Sequence, residues 1–284
     1  MKKYLLFALA VTPYLAQAQR LHGDLQLGVA NYQGDLQNKR FTLKGSKAAV
    51  GIGLSYDINN HIIVRTLATY LTVTGDDKNG RTLQNLNPRN LNFTSHILEG
   101  QVALEYNLFD LSERSATPYV FAGVGIFHFN PYSYDSMANK VFLRSLSTEG
   151  QGLAAYPNKK LYKNNQFSIP FGVGVKFAVS EKVQVGLELG LRKLFTDYLD
   201  DVSGTYADSS ILLAAKGPKA IAFAYRESEI HGTVNYPKAG DVRGNPKIKD
   251  WYYTTGVRIS YLFGGSGNNS GTKHSKMGCP TNVY

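Results

Sequence analysis

Apolar and polar residues alternate one by one along much of the chain, and the alternation comes in blocks. In one block, Val183, Val185, Leu187, Leu189 and Leu191 take one face. Gln184, Gly186, Glu188, Gly190 and Arg192 take the other. From Phe167, apolar Phe167, Ile169, Phe171, Val173, Val175 and Phe177 oppose Ser168, Pro170, Gly172, Gly174 and Lys176. From Leu98, Val102, Leu104, Tyr106 and Leu108 oppose Glu99, Gln101, Glu105 and Asn107. Near the end, Val257, Ile259, Tyr261 and Phe263 oppose Thr254, Gly256, Arg258 and Ser260. Shorter blocks around Leu25, Val50 and Ile62 repeat the pattern, with Asp24, Gln26 and Arg65 on their polar faces. A period of two marks β-strands whose faces meet different surroundings. Eight strands are expected, at 21–32, 46–57, 61–74, 95–109, 117–130, 165–179, 182–197 and 250–263.

The fifth strand breaks the rule. "TPYVFAGVGIFHFNP", from Thr117 to Pro131, is apolar on both faces and carries Gly123 and Gly125 on one of them. A glycine turn that cradles phosphate needs a helix after it, and none starts in this segment. The glycines suit close backbone approach in a small barrel. Alternation leaves open which face points outward.

The connections add the topology. "DINNH", "DLSERSA" and "SEK" are short turns, while 33–45, 75–94, 131–164 and 198–249 are long. Short and long alternate without exception. That predicts an all-β fold: an eight-stranded antiparallel transmembrane β-barrel with short periplasmic turns, long extracellular loops and both termini periplasmic. A soluble barrel around an apolar pocket is the alternative. Two features favour lipid outside. Trp251, Tyr252 and Tyr253 stand at one end of the last strand, Tyr261 and Phe263 at the other, as two aromatic girdles. The polar faces also carry opposite charges, Arg65, Lys176, Arg192 and Arg258 against Glu99, Glu105 and Glu188, which suit a lumen charge network. Eight strands leave room inside only for their own side chains. A plugged barrel is therefore expected, with its work done by the loops or the tail.

The N-terminus changes the compartment. "MKKYLLFALAVTPYLAQAQR" has two lysines, an apolar run and an Ala16-Gln17-Ala18 site. That is the layout of a signal peptide over 1–18. The expected organisation is 1–18 signal peptide, 19–263 barrel and 264–284 a flexible periplasmic tail. No later stretch offers 18 consecutive apolar residues, and no membrane helix is expected in this chain of mean hydropathy −0.23. The net charge of +10 is spread along the chain without an arginine stripe, so nucleic acid is not an expected partner. The only cysteine, Cys279, excludes an internal disulfide.

Several stretches resemble a known family: "GVANYQGDL" from Gly28, "TPYVFAGVGIFHFNP" from Thr117, "LSTEGQG" from Leu146, "FSIPFGVGVKF" from Phe167, "LGLRKLFTDYLDDVSGTY" from Leu189 and "HSKMGCP" from His274. They resemble the PorG-type outer-membrane barrels of the type IX secretion system. The resemblance implies a barrel in the outer membrane of a Gram-negative bacterium. It implies association with a periplasmic lipoprotein-containing ring, support of protein export and no catalytic residues. The expected partners are outer-membrane lipids and the periplasmic ring proteins. Within the tail, His274, Lys276, Cys279 and Pro280 are the expected docking element, with Lys273 and Lys276 favouring the thiolate of Cys279. No cofactor is expected.

Other chemistries have candidate residues as well. No G-x-S-x-G, H-E-x-x-H or zinc spacing occurs. His128 with Ser133 or Asp135 is a candidate catalytic group, against the plainer reading of an interfacial histidine. Asp197, Asp200, Asp201 and Asp208 offer oxygen ligands for calcium, against the plainer reading of solvated turn carboxylates. The same pair of readings applies to "GDDKNG" at Gly75. Three function classes follow: a secretion component, a surface adhesin or ligand-binding barrel working through its loops, and an outer-membrane enzyme.

Overall fold

The computed structural model describes residues 20–37, 41–77, 89–232 and 235–263. Eight long strands form the barrel: β1 (Leu21–Gln33), β2 (Lys47–Asp57), β3 (Ile62–Asp76), β4 (Asn92–Asn107), β5 (Ala116–Phe129), β8 (Asn165–Ala178), β9 (Val183–Leu194) and β10 (Trp251–Phe263). Every neighbouring pair is antiparallel. β1 pairs with both β2 and β10, and β3 with β4, so the sheet closes on itself. Closure removes the free edges that would leave backbone groups unpaired in lipid. The expected strand set, order and alternation of connections are those observed.

The pleat sorts the residues as alternation predicts. Leu27, Ile52, Leu98, Val102, Val173 and Leu187 point outward and are exposed. Among the described strand residues, Asp, Glu, Lys or Arg stands at an outward position only at Asp76 and Lys193, both at the loop end. An apolar wall of strands longer than nine residues fits a bilayer core.

β5 resolves its own ambiguity. Val120, Val124 and Ile126 face outward, while Tyr119, Phe121, Phe127 and Phe129 face inward with the two glycines. Inward rings need space, and β8 supplies it. Tyr119 pairs across the ladder with Gly174 and Phe121 with Gly172. A β-carbon on either glycine would run into the ring opposite. Large against small fills a narrow lumen without voids.

The long connections differ from expectation. Two of them, 131–164 and 195–250, are not open loops where they are described. Segment 131–164 contains a hairpin, β6 (Tyr132–Tyr134) with β7 (Lys140–Phe142), then one 3₁₀ turn at Leu143–Leu146. Segment 195–250 contains three short helices, α1 (Ser209–Lys216), α2 (Pro218–Ala224) and α3 (Ser228–His231). These pieces pack over the barrel mouth. Leu199, Val202, Leu212, Ala220 and Phe223 share one apolar core with Tyr32, Phe93, Ile97, Phe129 and Leu194 of the strands. The core of the molecule therefore lies at the loop end, as a cap continuous with the upper lumen.

Candidate functional site

The lumen below the cap is filled by ion pairs in two tiers. Glu105 on β4 is the centre of the lower tier. It accepts from Arg258 Nη1 at 2.6 Å, from Arg65 Nη1 at 3.2 Å and from Lys176 Nζ. Arg65 also grips Glu188 with both terminal nitrogens, at 2.6 and 3.1 Å, and stacks on Phe121 at 3.6 Å. Tyr119 donates to Glu188 at 2.9 Å. In the upper tier Arg192 pairs with Glu99 at 3.1 Å and donates to Thr254 Oγ1 at 2.7 Å. All seven residues expected in the lumen are there, and they are brought together across five strands.

One member was missed. Asp24 on β1 accepts from Arg258 Nη2 at 2.9 Å and from Ser260 Oγ at 2.5 Å. The signal was its place on the polar face opposite Leu25. With Asp24 included, four carboxylates (Asp24, Glu99, Glu105, Glu188) meet four cations (Arg65, Lys176, Arg192, Arg258), and each of the eight is buried. Charges of both signs in equal number are thus paired and buried side by side in the lumen.

The cap holds a second polar cluster with different chemistry. Arg243 is buried at its centre, bonded to Glu149 at 3.0 Å, to the Asp201 carbonyl at 2.6 Å and to the Ala224 carbonyl at 3.2 Å. Asp201 accepts from Thr148 at 2.5 Å and Tyr162 at 2.8 Å. Asp200 accepts from Tyr32 and from the Val202 N–H. Asp250 accepts from the Leu199 N–H at 2.9 Å. Asp197 accepts from Ser203 at 2.7 Å. The reading of 197–201 as solvated carboxylates is thus overturned: Asp197, Asp200 and Asp201 are buried and fasten the cap. Asp208 is different again. It caps α1, accepting from Ser210 N and Ile211 N. In "GDDKNG", Asp77 pairs with Arg89 at 2.7 Å and accepts from Leu91 N; 78–80 lie outside the described residues.

Burial shifts the cap's acids. It pushes Asp197 up to about 6, and Asp201 up to about 6 against the opposing pull of Arg243. Asp200 and Asp250 are raised well above the usual carboxylate range, by burial first and then by neighbouring carboxylates. Among the described residues no group of three or more His, Cys, Asp or Glu is arranged to hold a metal ion.

Other expected residues fall apart. His128 points outward and meets Asn165 at 2.7 Å, whereas Ser133 bonds Asn92 and Arg226, and Asp135 closes its own turn. No catalytic constellation forms there. The aromatic girdle at the start of β10 is also rearranged. Tyr252 faces the lumen and is fully buried. Tyr253 faces outward but is covered by residues 41–46, which fold down over the outside of the wall. His274, Lys276, Cys279 and Pro280 lie outside the described residues.

The sequence pattern of the family described as Domain of unknown function (DUF6089) matches residues 2–213. No curated protein matches the chain. Solved structures similar to it include Neisserial surface protein A, at 9% identity and TM-score 0.40, covering 86% of this chain and 97% of that one. The outer membrane protein OprG from Pseudomonas aeruginosa is 13% identical with TM-score 0.39, covering 86% and 97%. E. coli outer membrane protein W is 14% identical with TM-score 0.36, covering 86% and 99%.

Proposed function

The chain belongs to the DUF6089 family, and from that premise we propose that it is a sealed, non-catalytic outer-membrane barrel that works by contact with protein partners. The observation that carries this reading is the lumen, whose four carboxylates and four cations are buried and paired. A barrel closed in this way is an anchor and a surface rather than a pore. The resemblance to PorG-type barrels supplies the partner: the periplasmic lipoprotein ring of a type IX secretion machine, engaged through the tail 264–284 with His274, Lys276, Cys279 and Pro280. Removing 264–284 tests it. Export of secreted cargo and crosslinking to periplasmic proteins should both fall while the barrel still inserts and still shifts on a gel when boiled. Unchanged export and crosslinking would overturn the secretion role. Ion conductance in planar bilayers by the full chain would overturn the seal.

A second reading has its own support. The cap is a packed unit with helices, a core and a buried arginine, and it offers a fixed surface to the outside. A surface adhesin or ligand-binding barrel would use that face. Binding to host cells or matrix that is lost when 209–231 are replaced, with export unaffected, would favour it.

A further inference from the structure

The outward face where β9, β10 and β1 adjoin is unlike the rest of the wall. Residues 41–46 leave the barrel mouth and turn down over it. Asn31, on the outward side of β1, donates to the Thr42 carbonyl at 2.6 Å, the Lys44 carbonyl at 3.1 Å and Ser46 Oγ at 3.1 Å. Its ladder partner Tyr253 bonds Thr42 at both N–H and carbonyl, each at 2.8 Å. Tyr253 also packs its ring 5.3 Å from Phe41. The loop is thus fastened to the outer wall.

What the fastened loop displays is apolar. Phe41 is 62% exposed and Leu43 74% exposed. At the edge of a bilayer they reach the acyl boundary. Beside them stand cations. Lys44 is exposed on the loop itself. Lys193, exposed on β9, pairs directly with Trp251 of β10, and Trp251 shares the outward face with Tyr253. Neither lysine has an acidic partner among the described residues. Lys193 adjoins Trp251 across the ladder, and Lys44 sits on the loop that Asn31 and Tyr253 hold beside it. Aromatic rings at the headgroup level with unpaired lysines above an apolar wall match a lipid whose head group carries negative charge.

We propose that this patch (Phe41, Leu43, Lys44, Lys193 and Trp251) binds phosphate-bearing lipid head groups and enriches anionic lipid on one side of the barrel. The inference rests on the reading of the chain as a membrane-spanning barrel. Lys44 and Lys193 supply the charge, Phe41 and Leu43 hold the loop at the acyl boundary, and Asn31 and Tyr253 fix the loop in register.

The test uses the sole tryptophan of the chain, Trp251. The full-length protein is placed in bilayers of phosphatidylcholine with 20% phosphatidylglycerol, the bromine quencher carried in turn by each lipid. Quenching per brominated lipid is expected to be at least threefold stronger from phosphatidylglycerol. In the Lys44→Gln/Lys193→Gln double variant the two should be equal, with the heat-dependent gel shift unchanged as proof of folding. Asn31→Ala should give an intermediate value. Equal quenching by both lipids in the unaltered protein overturns the proposal, as does a preference that survives the double variant. Loss of the preference with inorganic phosphate, but not with chloride at the same ionic strength, would make the patch a free-anion site and also overturn it. Quenching by neither lipid is a different failure, because it removes Trp251 from the membrane and with it the barrel reading itself.

Discussion

The lumen and the cap are both packed with buried charge, yet they neutralise it by opposite means. In the lumen every carboxylate has its own cation, four against four, carried by strands whose positions the sheet fixes. In the cap, Asp197, Asp200, Asp201, Asp250 and Glu149 share one ion pair among the described residues, that of Glu149 with Arg243. The shortfall is met by hydroxyls and backbone N–H groups, and by protons. Tyr32, Thr148, Tyr162 and Ser203 all donate to carboxylates there. Its raised carboxyls make the cap sensitive to mild pH. One chain thus combines an ion-paired lumen with a proton-sensitive cap.

The comparison breaks most visibly at Glu105. Glu105→Gln leaves Arg65, Lys176 and Arg258 without their shared anion, and unfolding in detergent should shift by about 3–5 kcal/mol. Arg243→Met strikes the matching point in the cap. It strands Glu149 and should open the cap at a cost of about 3 kcal/mol, read as rapid proteolysis within 195–250 while the strands keep their hydrogen-exchange protection.

Next comes pH. Asp197 and Asp201 are raised to about 6 by burial, with Arg243 and the hydroxyl donors opposing the rise at Asp201. A carboxyl raised on folding contributes stability that is complete below its unfolded value and is lost as pH rises through the folded value. The cap should therefore be tighter at pH 5 than at pH 7, with proteolysis of 195–250 slowed about tenfold. The barrel's unfolding midpoint should move less than the cap's response over the same interval. Equal responses in both regions would erase the distinction. The smallest effect belongs to Tyr32→Phe, which removes one donor from Asp200. It should cost about 1 kcal/mol, confined to the cap.

How much of this could be read from sequence follows from the same physics. The barrel was legible because a strand between lipid and lumen must alternate, and Glu99, Arg192 and Arg258 each stand where alternation puts the inside. The cap was not, because its burial depends on contacts between distant loops and leaves no period. Its helices did carry a local signal. Asp208 precedes "SSILLAAK" as an N-cap, Gly217 ends that helix at φ 81°, and Pro218 opens the next. Reading those three residues would have placed α1 and α2. Nothing local marks Asp200 and Asp201 as buried, because a turn rich in aspartate looks the same in water. The outward loop at 41–46 was equally silent, since Asn31 and Tyr253 reveal their role only once β1 and β10 are side by side.

Arg258 stands on the last strand to be synthesised, and its partners Asp24 and Glu105 stand on the first and the fourth. Until β10 arrives, the interior holds four carboxylates against three cations, and Asp24 has no cation at all. An incomplete barrel that entered the membrane would carry that imbalance into a medium that does not solvate it. Neutrality and closure are thus one event, since the strand that completes the ladder also brings the fourth cation.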